Sequence, residues 1–189
     1  IIHKDYKIEL VPTVRRSDPS LARNVTDVSL LHVDYVKRLI KKNPFLKKEI
    51  ILAKSFCRAA RCYGAESYVK GFSGYSLEIL VAYFGSFLNF LKKIDKKRVY
   101  DPKKYFRSEK EVLFELNSAK LKSPLILVDP TYKFRNATAG LGRETYERFI
   151  TIKNDFLARP TVSYFEEKDV DEGLLKEFAK KKGASFLLV

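Results

Sequence analysis

Lys47, Lys54, Arg58 and Arg61 recur at helical spacing in "FLKKEIILAKSFCRAARCYG". At about 100° per residue, four such positions fall within a wedge of roughly 60°. Ile50, Ala53, Cys57 and Ala60 form an apolar face that flanks the stripe on one side, with Phe56 beyond them. A stripe of cations flanked by an apolar face suits a row of phosphates, either a triphosphate or a nucleic-acid backbone. A purely solvated face would carry the same charges, but here no acid interleaves with the stripe. Tyr63 ends the same segment and can offer its hydroxyl to the same ligand.

Three further positions have types that could do chemistry. Arg135 stands in "DPTYKFRNAT", which reads as a loop between a strand end and a helix start. Its planar fork can bond phosphate or the edge of a base, and Asp129, six residues earlier, is placed to hold that fork. His32 and Ser29, one helical turn apart, can face one ligand. Glu9 sits in an alternating strand between Ile8 and Leu10, where it can project toward a metal. Magnesium needs further carboxylates beside it, and the one Asp-x-Asp spacing, Asp169-Val170-Asp171, lies at the far end of the chain from Glu9, so the segment around Glu9 does not supply a two-metal site by itself.

The elements that must position these groups follow from periodicity and punctuation. "DYKIELVPTV" alternates and reads as a strand over Tyr6 to Val11, ended by Pro12. A first helix is expected over Leu30 to Lys41, broken by "NPF", and a second over Phe45 to Cys62 with Gly64 as its left-handed stop. "VKGFSGYSLEILVAYFGSFLNFLKK" reads as a third helix capped by Ser73, apolar around most of its circumference and therefore enclosed by others. Residues 92–122 read as an exposed, charged connection with at most one short strand or helix. A buried strand is expected over Leu125 to Val128, then a short helical turn capped by Asn136 and a longer helix to about Ala158. The end reads strand, helix, strand.

Composition bounds the function. The net charge of +14, from 37 Lys and Arg against 23 Asp and Glu, favours polyanionic partners. No run reaches the roughly 18 apolar residues that a membrane-spanning helix needs, because Glu78 and small polar residues interrupt the best candidate. Cys57 and Cys62 read as buried thiols of a cytoplasmic protein, not as a zinc or disulfide framework. The chain has no methionine and has strand-like sequence at both ends, which reads as a segment or as one subunit of a split protein.

In this order the pieces resemble the archaeal-type (class I) CCA-adding enzymes, the tRNA nucleotidyltransferases. "YGAESYVKGFSGYSLEILVAYFGSF", Tyr63 to Phe87, is similar to that family's Tyr-Gly-Ala-Glu … Gly-Phe-Ser-Gly-Tyr … Glu-Leu-Leu … Tyr-Gly-Ser-Phe block. "LILVDPTYKFRNATAGL" resembles its Val-Asp-Pro-x-x-x-x-Arg-Asn-x-x-Ala block, "IELVPTVR" its third-carboxylate strand and "TDVSLLH" its Asp-x-Thr-x-x-x-His segment.

The resemblance implies an α+β fold: the last strands of a nucleotidyltransferase sheet in 1–16, a mostly helical central (neck) domain in 17–158, and the start of a small α/β body domain in 159–189. It implies template-independent addition of C, C and A to tRNA 3′ ends from CTP and ATP with Mg²⁺. Glu9 falls on the third metal-holding carboxylate, and Ser29 on a threonine that contacts the nucleotide sugar, with His32 beside it. Lys54 and Tyr63 fall on triphosphate-binding residues, and Arg135 on the arginine that selects C or A. Lys47, Arg58 and Arg61 are further candidates for phosphate or RNA contact. The sequence departs from the family in having Glu9 for Asp and Ser29 for Thr, and in lacking the Gly-Ser and Asp-x-Asp motifs that normally stand upstream of the third carboxylate. The implied partners are the tRNA acceptor end, a second chain carrying those motifs, and another carrying the C-terminal tail. A catalytically inactive RNA-binding module, or a relative of poly(A) or oligoadenylate polymerases, are the alternatives.

Overall fold

The structure, a computed structural model, describes residues 25–167 together with 2–3, 6–7, 12–14 and 19. Glu9 and the expected helix and strand near the end lie outside the described residues. The architecture is mixed α+β, with helices packed against one small sheet. Strands β1 (Ile2–His3) and β2 (Tyr6–Lys7) form a separate antiparallel pair. The main body runs α1 (Val25–Lys42), α2 (Leu46–Ala59), α3 (Gly74–Phe84), α4 (Phe87–Lys93), β3 (Val99–Tyr100), α5 (Glu109–Glu115), β4 (Ile126–Asp129), β5 (Tyr132–Asn136) and α6 (Arg143–Ala158). A short 3-10 turn at Val162–Phe165 stands where the sequence suggests a strand.

Helix α2 ends at Ala59, three residues earlier than its pattern implies. The Cys62 amide donates to the Cys57 carbonyl and the Arg61 amide to that of Arg58, a Schellman closure with Arg61 left-handed at φ 53. Arg61, not Gly64, is thus the closing residue, and it leaves the stripe that it seemed to extend. Cys57 and Cys62 are free and buried, as expected.

The apolar stretch is two helices rather than one. Ser73 caps α3, accepting from the Ser76 amide. Gly85 then turns left-handed at φ 84, Ser86 caps α4, and the two axes meet at 91°. No single helix is long and apolar enough to cross a membrane. Both helices instead line the core, where Leu77, Leu80, Phe90 and Leu91 are fully buried beside Phe72. Phe56 of α2 sits among Phe87, Phe149 and Phe156 at ring separations of 5.4–6.3 Å. Truncating such a ring to alanine typically costs about 3–5 kcal/mol.

The sheet order is β3-β4-β5, with β3 parallel and β5 antiparallel to β4. Strand β4 is buried on both faces. Leu125 and Leu127 face the helical core, whereas Ile126 and Val128 join Val99, Val112 and Leu116 in a second cluster under α5. The connection over 92–122 is therefore more structured than its charge suggests. Asn136 is also not a helix cap. It ends β5, and its side chain accepts from the Leu127 and Thr138 amides, so Arg135 lies in a strand and not in a loop.

Candidate functional site: the N-terminal end of α3

Two groups of side chains flank the start of α3. The first comes from α2. After its Schellman closure the chain runs alongside the approach to α3: the Phe72 amide donates to Cys62, and those of Gly64 and Gly71 donate to Phe72 and Gly64. Gly71 has no alternative here, because a Cβ would lie 2.3 Å from the Cys62 carbonyl oxygen. This pairing brings Tyr63 beside Gly74. A Cβ on Gly74 would stand 2.9 Å from the Tyr63 hydroxyl and 3.6 Å from Lys54 Nζ, so both polar tips converge over the first residue of α3. Lys54 Nζ is held by Glu78 Oε1 at 2.5 Å, one turn further along α3. The Arg58 guanidinium lies over the Tyr63 ring at 4.7 Å.

The second group centres on Asp129, fully buried at the end of β4. Its Oδ1 accepts from the Tyr75 hydroxyl at 2.9 Å and from the Thr131 amide and hydroxyl at 2.8 and 2.7 Å. Its Oδ2 faces His32 Nε2 at 3.1 Å and accepts from Arg135 Nη1 at 3.2 Å. Burial alone would raise this carboxyl; hydrogen bonds from His32 and Thr131 outweigh it and hold the group below the usual carboxylate range. Burial, with the Asp129 charge added, pushes the Tyr75 phenol far up, so Tyr75 stays a proton donor. The His32 ring stacks on Tyr75 with centroids 3.7 Å apart and planes 16° from parallel. Arg135 keeps 29% of its side chain exposed, so the fork is anchored yet reachable.

Tyr75 and Gly74 are neighbours on α3, which joins the two groups. Lys54, Tyr63, His32 and Arg135 are therefore brought together around one helix end, and the hold of Asp129 on Arg135 is present as the spacing suggested. Ser29 lies on α1 one turn before His32 and is exposed. Lys47 is exposed on α2. Arg61 does not join the group; it lines a separate opening with Lys70 and Arg148. Sequence reasoning missed Tyr75 as a ring platform and treated Glu78 only as an interruption. Both stand on α3 beside the capped entry, which was the available signal.

Among the described residues no set of three or more His, Cys, Asp or Glu side chains is placed to hold a metal ion. Asp129 is surrounded by its own donors and Glu78 is paired with Lys54, so neither suits Mg²⁺. What the arrangement can do is bind an anion over a helix N-terminus, where free amides and the dipole favour negative charge. Beside that anion it presents a pre-oriented arginine.

Such an α+β domain with a basic helix entry is matched by the family model described as "tRNA nucleotidyltransferase, second domain", over residues 48–166. The chain belongs to this family. It is 34% identical over 188 residues to the CCA-adding enzyme of Pyrococcus abyssi, covering 96% of this chain and 41% of that protein. It is 37% identical over 172 residues to the CCA-adding enzyme of Nanoarchaeum equitans, covering 87% of this chain and 43% of the relative. With that of Methanosarcina barkeri it shares 30% identity over 193 residues, covering 100% and 40%. The chain thus spans about two fifths of the length of these relatives.

Proposed function

We propose that this chain supplies the triphosphate-binding and base-selecting part of a CCA-adding enzyme, which extends tRNA 3′ ends with C, C and A from CTP and ATP. The observation that carries this reading is the convergence of Lys54 Nζ and the Tyr63 hydroxyl over Gly74, beside an Arg135 anchored by buried Asp129. Lys54 and Tyr63 hold the triphosphate against the first amides of α3, a charge-assisted contact of about 1.5–3 kcal/mol per hydrogen bond. Ser29 contacts the sugar, and His32 braces Arg135. Arg135 presents its fork to the base edge and so discriminates C and A from other bases. These residues act by positioning and charge neutralisation, the main sources of rate in phosphoryl transfer.

The carboxylates that would complete a magnesium site are supplied by polypeptide outside this sequence, with Glu9 as the contribution from this chain. Residues 1–16, 17–158 and 159–189 then correspond to the end of the catalytic domain, the neck and the beginning of the body. A separate chain bearing the Gly-Ser and Asp-x-Asp motifs is the favoured source, with a further chain carrying the tail. The test is incubation of tRNA lacking its CCA end with labelled CTP, using this chain with and without candidate partner chains. Incorporation of two C residues that requires this chain supports the reading. Extension by partner chains alone, unchanged when this chain is added, overturns it.

A further inference from the structure

Away from the α3 entry, a second basic feature lies between the later turns of α1 and the loop at 101–106. Tyr35, Arg38, Leu39, Lys41, Lys42 and Lys103 line a groove of about 610 Å³. No acid lines it, and among the described residues none of its four cations forms an ion pair. On α6, by contrast, Arg148 and Arg143 pair with Glu144 and Glu147 at helical spacing.

The loop that closes this groove is built rather than slack. Asp101 turns inward, accepting from the Lys103 and Phe106 amides at 3.3 and 2.9 Å. Lys104 is left-handed at φ 53, and its amide donates to the Asp101 carbonyl. The Tyr105 hydroxyl donates to the Pro130 carbonyl at 2.7 Å, fixing the loop to the residue that follows Asp129. This places Lys103 Nζ 5.6 Å from the centroid of the Tyr35 ring. Tyr35 lies one turn after His32 on α1, so the groove begins where the Asp129 group ends. Burial pushes the Tyr35 phenol up, with the charges of Tyr105 and Asp129 adding to it. From His32 to Lys42 the helix advances about 15 Å, enough for two or three successive phosphates of an extended strand.

We propose that this groove holds the sugar-phosphate backbone of single-stranded RNA and leads it toward the Arg135 site. The inference rests on the proposed reading of that site as the place where the incoming nucleotide is held, which an RNA 3′ end must reach. A pinned groove of cations that no carboxylate neutralises is suited to a backbone and carries no base-edge code, so it positions the strand without selecting sequence. Each phosphate neutralised on a single strand contributes about 0.7 to the slope of log affinity against log salt.

The experiment uses the full chain and a fluorescent single-stranded RNA 12-mer, titrated at several KCl concentrations. The variant Arg38→Gln/Lys41→Gln/Lys42→Gln/Lys103→Gln is compared with Lys92→Gln/Lys96→Gln/Lys97→Gln/Lys110→Gln. Both lose four charges, and none of the second set lines the groove. The groove variant is expected to lose about 2–3 from the salt slope and roughly tenfold or more in affinity at 0.1 M salt, with the control losing less than about 1. Equal losses in the two variants, wild-type binding by the groove variant, or an equal loss on an RNA duplex would each overturn the proposal. Lys103→Glu alone, on an exposed loop, gives the same reading if the fourfold variant fails to fold. Nucleotide binding by Lys54→Ala is measured in parallel. Unchanged CTP binding there, with the groove effect present, overturns the assigned role of Lys54 and leaves the groove standing.

Discussion

Arg135 Nη1 lies 2.6 Å from His32 Nε2, and both nitrogens face the same oxygen, Asp129 Oδ2. One histidine nitrogen cannot serve both neighbours at once. With its proton on Nδ1 it accepts from Arg135; with its proton on Nε2 it donates to Asp129. A single buried carboxylate thereby ties α1, α3 and β5 together. Asp129→Ala removes the charge and leaves Arg135 without its anchor, for which a loss of about 3–5 kcal/mol in unfolding free energy is expected. Urea denaturation measures it, and Asp129→Asn, which retains the acceptor that Thr131 uses, should lose less.

The same carboxylate sets an acid limit. Its folded-state value lies below the unfolded one, so between the two the unfolded chain binds more protons and stability rises with pH. The contribution is complete above the ordinary aspartate range near 3.9 and is lost as pH falls through the lower folded value. Asp95 is also lowered: its burial acts upward, but the bond from Lys153 at 2.9 Å prevails. With 36% of its side chain exposed, Asp95 contributes less, because solvent screens it. Urea midpoints between pH 7 and 3 should fall below about pH 4 in the parent and fall less in Asp129→Asn.

Gly74→Ala separates folding from binding. Alanine in the first turn is favoured over glycine by up to about 1 kcal/mol, so stability should hold or rise. The added methyl would stand 2.9 Å from the Tyr63 hydroxyl and displace it. CTP affinity is therefore expected to drop several-fold while the thermal midpoint does not. A loss of both, measured by titration and calorimetry, would remove Tyr63 from its assigned contact.

Arg135→Ala costs some stability by taking a cation from buried Asp129, but Tyr75, Thr131 and His32 still contact that carboxylate, so the chain should fold, and discrimination between nucleotides should relax in the complete enzyme. Competition between CTP and UTP for incorporation measures this. Retained selectivity would take Arg135 out of base reading.

Much of this arrangement was legible because local rules carry it. The Ser73 cap, the buried face of α2 and the cation spacing of Lys54 and Arg58 follow from helix periodicity alone. The stop of α2 was misplaced because Arg61 takes a left-handed conformation that glycine more often supplies, and side-chain identity gave no warning. Strand β5 reads as a loop in the sequence because "YKFRN" is only five residues long and owes its place to pairing with β4. The stacking of His32 on Tyr75 joins residues far apart in sequence, and no periodicity encodes such a contact. Glu78 looked like a flaw in an apolar run until α2 was seen to bring Lys54 against it.

The most direct measurement is an amide NMR titration of the 189-residue chain with CTP. If Lys54, Tyr63 and the start of α3 form the triphosphate seat, the largest shifts fall on Tyr63 and on Gly74 to Ser76, and Lys54→Ala abolishes them. Shifts spread evenly over the basic surface, or unchanged by that substitution, would contradict it.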